Sequence, residues 1–127
     1  FLGDSVEGKD VVIIDDMISS GESMLDVAKQ IKERKAKRVF ICTTYGLFTD
    51  GLKKFDEYYE KGWIDKVITT NLNYRDPELL TRPYYVEANM SKYLASIMDI
   101  INHDLSVEKV RSSNEKIMEL MEKVNNR

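Results

Sequence analysis

Apolar and polar residues alternate along the chain in blocks that predict strands followed by helices. Residues 10–15 hold a continuous apolar run between two aspartates, and we expect a central strand that is covered on both faces. Residues 23–34 place apolar side chains at helical spacing, which predicts an amphipathic helix. Two further strands are predicted at residues 38–43 and 66–70, with a short helix at residues 52–61 between them.

The order of these elements predicts the fold class. Strands that are joined by a helix run parallel, so the alternation indicates an α/β fold with a parallel, doubly wound sheet. Residues 71–83 are polar and hold both prolines, which predicts a surface loop. Residues 84–88 then predict a short edge strand.

Two more helices are predicted in the C-terminal part of the chain. Residues 90–102, with Asn89 or Ser91 as the N-cap, and residues 113–125 carry apolar side chains at helical spacing. Long apolar side chains on such helices pack within the domain or against a neighbouring subunit, and core packing is the more common outcome. The side chains in question are Tyr93, Met98, Met118 and Met121.

The length of the chain limits the number of domains. A chain of 127 residues with 43% hydrophobic residues fits one small domain. We assign residues 1–107 to the α/β domain and residues 108–127 to a helical extension. The sequence starts with Phe1 and enters a strand almost at once, so we expect a piece of a longer protein, in which the N-terminal part of this domain is missing.

Charge and composition exclude several classes of function. The 19 basic and 22 acidic residues give a net charge of -3 without a basic track, so nucleic acid is not an expected partner. Cys42 is the only cysteine and His103 the only histidine, which argues against a disulfide framework and against a His/Cys metal site. No apolar run reaches the length of a membrane span, and we expect a cytoplasmic protein.

The candidate chemistry lies between the first strand and its helix. Asp15 and Asp16 end the apolar run, at the carboxyl edge where open α/β sheets bind their ligands. A short loop then leads into the helix, whose N-terminus offers unpaired amides and a positive dipole to an anion. This combination suits a phosphorylated sugar, with its hydroxyls on the carboxylates and its phosphate on the loop. The loop residues are Ser19, Ser20, Gly21, Glu22 and Ser23.

Each part of this segment also has a purely structural interpretation. Paired aspartates at a strand end commonly cap a turn, and serines before a helix commonly cap the helix. A glycine in such a loop commonly supplies only a positive φ angle. The functional hypothesis depends on the combination of the three features.

This segment resembles the phosphoribosyl pyrophosphate binding motif of type I phosphoribosyltransferases and of the ribose-phosphate pyrophosphokinases, which share their fold. The resemblance implies that Asp15 and Asp16 contact the ribose 2- and 3-hydroxyls. It implies that residues 19–23 wrap the 5-phosphate, with Ser20 and Ser23 as side-chain donors.

Further segments resemble the pyrophosphokinases, also called phosphoribosyl pyrophosphate synthetases. Residues 43–52 are similar to their threonine-histidine-glycine-leucine-phenylalanine segment, and residues 66–71 to their strand that ends in Thr-Asn. Residues 90–93 with 102–104 resemble their closing helix. The resemblance spans about residues 3–107 and implies the C-terminal half of such an enzyme.

Two residues depart from the family pattern. Tyr45 stands where the family usually has histidine, so no polar role is transferred to it. Glu22 stands where a small residue is usual, and a carboxylate near a phosphate is repulsive unless it points away. A glutamate in the first helical turn is favoured by the dipole, so Glu22 is kept as a loop member without an assigned contact.

The resemblance implies transfer of diphosphate from ATP to ribose 5-phosphate with Mg²⁺, a step of nucleotide biosynthesis, by a homo-oligomeric enzyme. The family's ATP-binding segments lie upstream of this sequence, so we assign no catalytic residue and expect this piece alone to be inactive. Two alternatives stay open. One is a nucleobase phosphoribosyltransferase, and the other is a non-catalytic assembly module, for which Glu22 is the strongest argument.

Overall fold

The computed structural model describes residues 4–103 and 113–126 and divides the chain into two compact units, Phe1–Asn89 and Met90–Arg127. The domain boundary that we expected at residue 107 lies outside the described residues. The first unit contains β1 (Asp10–Ile18), α1 (Glu22–Glu33), β2 (Arg38–Gly46), α2 (Lys53–Glu60), β3 (Lys66–Thr70), α3 (Pro77–Leu80) and β4 (Tyr85–Ala88). The second contains α4 (Ser91–Asn102) and α5 (Ser113–Asn125).

The four strands form one sheet in the order β1-β2-β3-β4, and every neighbouring pair is parallel. Each strand lies beside the strand that follows it in the sequence, as expected for right-handed crossovers through helices. The parallel α/β architecture is therefore confirmed.

Helices α1 and α2 bury their apolar sides in one shared core. Ala28 of α1 and Phe55 of α2 are fully buried, together with Val39, Ile41 and Val67 from alternate positions of β2 and β3. Because alternate side chains of a strand lie on one face, both helices cover the same face of the sheet.

Strand β1 is an edge strand, so the prediction of a central strand covered on both faces is wrong for the described sheet. Val11 and Ile13 are partly buried against the core, whereas Val12 is 52% and Ile14 80% exposed. A continuous apolar run has the same sequence signature whether or not its second face is covered, and this explains the error.

The segment at residues 71–83 contains a helical turn, α3, within the predicted loop. Pro77 is its first residue, and the Asp76 side chain caps the turn by accepting from the Glu78 amide at 2.8 Å. Strand β4 follows at the sheet edge, as predicted.

In the second unit, α4 and α5 have the predicted helical character. Met90 is the N-cap of α4, so the expectation that Asn89 or Ser91 caps this helix is wrong. None of the described helices is both long and apolar enough to cross a membrane. The expected core packing of four side chains is also wrong, because all of them are exposed: Tyr93, Met98, Met118 and Met121.

Candidate functional site

The two aspartates lie inside strand β1 and not at its end. The strand continues through Met17 to Ile18, which pairs with Gly46 of β2, so the prediction that it ends at Asp15 is wrong. The polar residues suggested that the strand ends there. It continues because it pairs with a long neighbouring strand, β2, which also runs to Gly46. Both carboxylates nevertheless lie near the carboxyl edge of the sheet.

Asp15 and Asp16 are both exposed, and as neighbours in a strand they project to opposite faces of the sheet. The Asp15 carboxylate accepts a hydrogen bond from the Asp16 amide at 2.8 Å, which fixes its orientation. A ligand that touches both carboxylates must therefore lie across the strand.

The loop after β1 presents backbone amides at the start of a helix. Helix α1 begins at Glu22, one residue before the predicted start, and its N-cap is Gly21, with φ 83° and no side-chain cap. The first amides of a helix have no partner within the helix, and here the N-cap provides no acceptor for them. The serine-capping interpretation is therefore wrong at the N-cap itself, although the Ser20 hydroxyl accepts from the Glu22 amide at 3.4 Å. Ser19 and Ser23 are exposed.

Residue 21 must be glycine for two reasons, its left-handed backbone angle and the close approach of the Phe55 ring. A β-carbon at this position would lie 2.7 Å from Cε2 of Phe55 and closer still to Cζ. Phe55 is fully buried and packs edge-on against Phe48, with ring centroids 5.1 Å apart, so it has little room to move. The loop backbone is thus held directly against helix α2.

The segment between β2 and α2 forms a second support for the loop. The Leu47 amide donates to the Ile18 carbonyl at 2.8 Å, and the Thr49 amide donates to the Ser19 carbonyl at 3.0 Å. In both bonds the loop side contributes a carbonyl oxygen and not an amide, so the loop is oriented without the use of its own amides. Sequence patterns gave no sign of them, because backbone hydrogen bonds between distant loops have no residue signature.

Glu22, which departs from the family pattern, forms an ion pair with Lys54 in the first turn of α2. The hydrogen bond from Lys54, together with its charge, lowers the pKa of the Glu22 carboxyl below its ordinary value. The same bond raises the pKa of Lys54. The sequence held one indication of this role, since a lysine in the first turn of a helix is disfavoured by the dipole and gains from a nearby carboxylate.

Polar residues at the end of β3 have structural partners. Thr69 is buried, with its hydroxyl 2.9 Å from the Tyr85 hydroxyl, and Thr70 donates to the Thr44 carbonyl at 2.6 Å. Asn71 donates to the Asn89 side chain at 3.2 Å. These contacts agree with the interpretation of this segment as a polar strand end.

A cavity of about 180 Å³ lies beside the loop, at the carboxyl end of β2. Its wall includes Leu47 and Phe48, and the described residues that line it include the carboxylates of Asp76 and Glu78 but no lysine or arginine. Carboxylates repel a phosphate, so this cavity does not suit a sugar phosphate as well as the adjacent loop does.

The described residues contain no group of three or more Asp, Glu, His or Cys side chains that would hold a metal ion by themselves. Carboxylate oxygens are the donors that Mg²⁺ prefers, and its sites commonly combine one or two carboxylates with substrate oxygens and water. Because Asp15 and Asp16 project to opposite faces of the sheet, one of the two carboxylates, together with oxygens of a phosphorylated ligand and water, would fit a Mg²⁺ ion.

Comparison with known proteins gives consistent matches. Residues 1–110 match the family described as the phosphoribosyl synthetase-associated domain. The ribose-phosphate pyrophosphokinases of Vibrio cholerae and Shewanella oneidensis are each 33% identical over 106 residues, covering 84% of this chain and 32% of each relative. The phosphoribosylpyrophosphate synthetase of Mycobacterium smegmatis shares the fold, with a TM-score of 0.69 at 22% identity, covering 80% of this chain and 33% of that one. The chain thus spans about one third of the length of these relatives.

Proposed function

Because the chain belongs to the phosphoribosyl synthetase-associated domain family, we propose that it is the ribose-5-phosphate-binding part of a ribose-phosphate diphosphokinase. The full enzyme would transfer diphosphate from ATP to ribose 5-phosphate for nucleotide biosynthesis in the cytoplasm. This part would correspond to the C-terminal half. The observation that carries the proposal is the loop at Gly21, where the amides at the start of α1 receive no side-chain cap from the N-cap residue and lie a few residues after two exposed carboxylates.

Each group of the loop has a role in binding the sugar phosphate. The amides at the start of α1 and the hydroxyls of Ser20 and Ser23 would hold the 5-phosphate, favoured by the helix dipole. Asp15 and Asp16, which are both exposed, would accept hydrogen bonds from the ribose hydroxyls. Catalysis of phosphoryl transfer depends mainly on positioning and electrostatics, so these residues orient the acceptor and do not act as nucleophiles.

ATP and Mg²⁺ would be held mainly by parts of the enzyme outside this chain. When bound, Mg²⁺ neutralises charge on the phosphates. We therefore expect no turnover from this chain alone and assign no catalytic residue to it. The exposed apolar side chains of α4 and α5 support the proposed homo-oligomer, since such residues are common in subunit contacts.

Two alternatives have less support. A nucleobase phosphoribosyltransferase would release pyrophosphate from phosphoribosyl pyrophosphate in the presence of a base, and the relatives named above are pyrophosphokinases. The assembly-module hypothesis depended on a repulsive Glu22. Its ion pair with Lys54 weakens that argument.

Isothermal titration of ribose 5-phosphate, with and without Mg²⁺, tests the proposal. We expect the wild-type chain to bind and the Asp15→Asn/Asp16→Asn variant to bind at least tenfold more weakly. The reason is that each of the two hydrogen bonds to a charged acceptor contributes about 1.5–3 kcal/mol to the binding free energy. The variant Glu33→Gln/Glu60→Gln removes the same charge from the C-terminal ends of α1 and α2, away from the loop, and should bind like the wild type. Absence of binding by a folded wild-type chain would contradict the proposal.

A further inference from the structure

Glu22 and Lys54 belong to different helices that meet at the loop. Their ion pair joins the first turn of α1 to the first turn of α2. The residue after Lys54 is Phe55, whose ring fills the space beside Gly21, so the backbone that carries Lys54 is fixed against the loop. A second bond between the same helices, from the Tyr58 hydroxyl to the Asp26 carboxylate at 3.3 Å, keeps them in register.

Each charge of this pair has one unfavourable interaction when it is considered alone. A carboxylate at Glu22 would repel a phosphate on the neighbouring amides, and an ammonium at Lys54 lies at the positive end of its own helix. Together the two charges cancel beside the loop. A Glu22 carboxylate without its lysine would therefore weaken anion binding at the loop, whereas loss of the carboxylate, alone or together with the lysine, would not.

We propose that Lys54 is a positioning residue of the sugar-phosphate site, which holds the Glu22 carboxylate on the α2 side of the loop and cancels its charge. This inference rests on the proposed function, because it concerns the same loop. Lys54 acts through Glu22 and need not touch the sugar phosphate itself. The site is thereby adapted to a residue that would otherwise weaken phosphate binding.

A double-mutant cycle on the full chain tests this role. Lys54→Met should lower the affinity for ribose 5-phosphate about fivefold, which is the effect of one uncompensated carboxylate about 8 Å from a dianion in a water-like dielectric. Glu22→Gln should bind at least as well as the wild type. Glu22→Gln/Lys54→Met should return to within about twofold of the wild type, because the repulsive charge is then absent.

Two controls separate this role from a general effect on folding or net charge. Lys53→Met removes the same charge one residue away, from an exposed position, and should weaken binding less than Lys54→Met does, because it leaves Glu22 paired. Ribose without phosphate should bind the Lys54→Met and wild-type chains equally, since it carries no charge for Glu22 to repel. A loss of stability alone would weaken both ligands together.

The outcomes distinguish this inference from the proposed function. If the wild type binds ribose 5-phosphate and Lys54→Met binds like Lys53→Met, the role of Lys54 is wrong while the proposed function stands. The same conclusion follows if the double variant remains as weak as Lys54→Met. If the folded wild type does not bind at all, the proposed function fails and the role of Lys54 fails with it.

Discussion

Replacement of Gly21 by alanine should disable the loop for two separable reasons. The residue has φ 83°, a left-handed conformation in which alanine costs about 1–2 kcal/mol. The new methyl group would also overlap the buried Phe55 ring, and overpacking of this kind typically costs about 1–3 kcal/mol. The two contributions together predict a loss of about 2–5 kcal/mol in the free energy of unfolding.

Gly62→Ala provides a matched control. Gly62 has φ 69°, so it has a comparable backbone conformation, but nothing lies within 4 Å of its β-carbon position. The unfolded chains change in the same way in both variants. The difference between their free energies of unfolding therefore measures the overlap with Phe55, for which we expect about 1–3 kcal/mol.

Urea unfolding followed by circular dichroism, together with titration of ribose 5-phosphate at low urea, gives the required measurements. Gly21→Ala should lose both stability and binding, whereas Gly62→Ala should lose about 1–2 kcal/mol and keep its affinity. Phe55→Leu removes the overlapping ring atoms, so Gly21→Ala/Phe55→Leu should be more stable than the sum of the single effects predicts. Equal stabilities of Gly21→Ala and Gly62→Ala would refute the steric argument.

Four further predictions follow from the described contacts. Tyr84 is buried and donates to Asp56 at 2.8 Å, so Tyr84→Phe should lower the free energy of unfolding by about 1 kcal/mol in urea titrations. Burial, followed by that hydrogen bond, raises the pKa of Tyr84, so stability should fall as pH rises above about 10, and less steeply in Tyr84→Phe. Lys54→Met should raise the pKa of Glu22 towards its ordinary value in NMR titrations, and an unchanged pKa would argue against the ion pair in solution. Burial raises the pKa of the Cys42 thiol, so iodoacetamide should alkylate it more slowly than a free cysteine at neutral pH, and an equal rate would contradict its partial burial.

Local patterns predicted the identity of most elements, because their periodicity reports the helices and strands directly. The helices at residues 23–34 and 52–61 were found as α1 and α2, since their apolar faces meet the sheet. Parallel pairing followed from the order of elements alone. The fold class was therefore accessible from the sequence.

Structural properties that depend on residues far away in the sequence were harder to predict. Whether β1 is central depends on what lies beside it, and no feature of its own residues carries that information. The same limit applies to Asp15 and Asp16, whose strand is prolonged by pairing with β2. Polar residues do not end a strand when a long neighbouring strand continues the hydrogen bonding beyond them.

The case of Glu22 shows how this limit affects a functional argument. Considered alone, its carboxylate opposes phosphate binding and favours a vestigial loop. Its partner lies 32 residues later in the sequence, in the first turn of another helix, and the pairing requires the close packing of α1 and α2 at Gly21. A substitution in a binding loop is therefore best judged together with the residues that the fold brings to it. Here Lys54 makes the loop compatible with an anion, and the double-mutant cycle measures that compatibility directly.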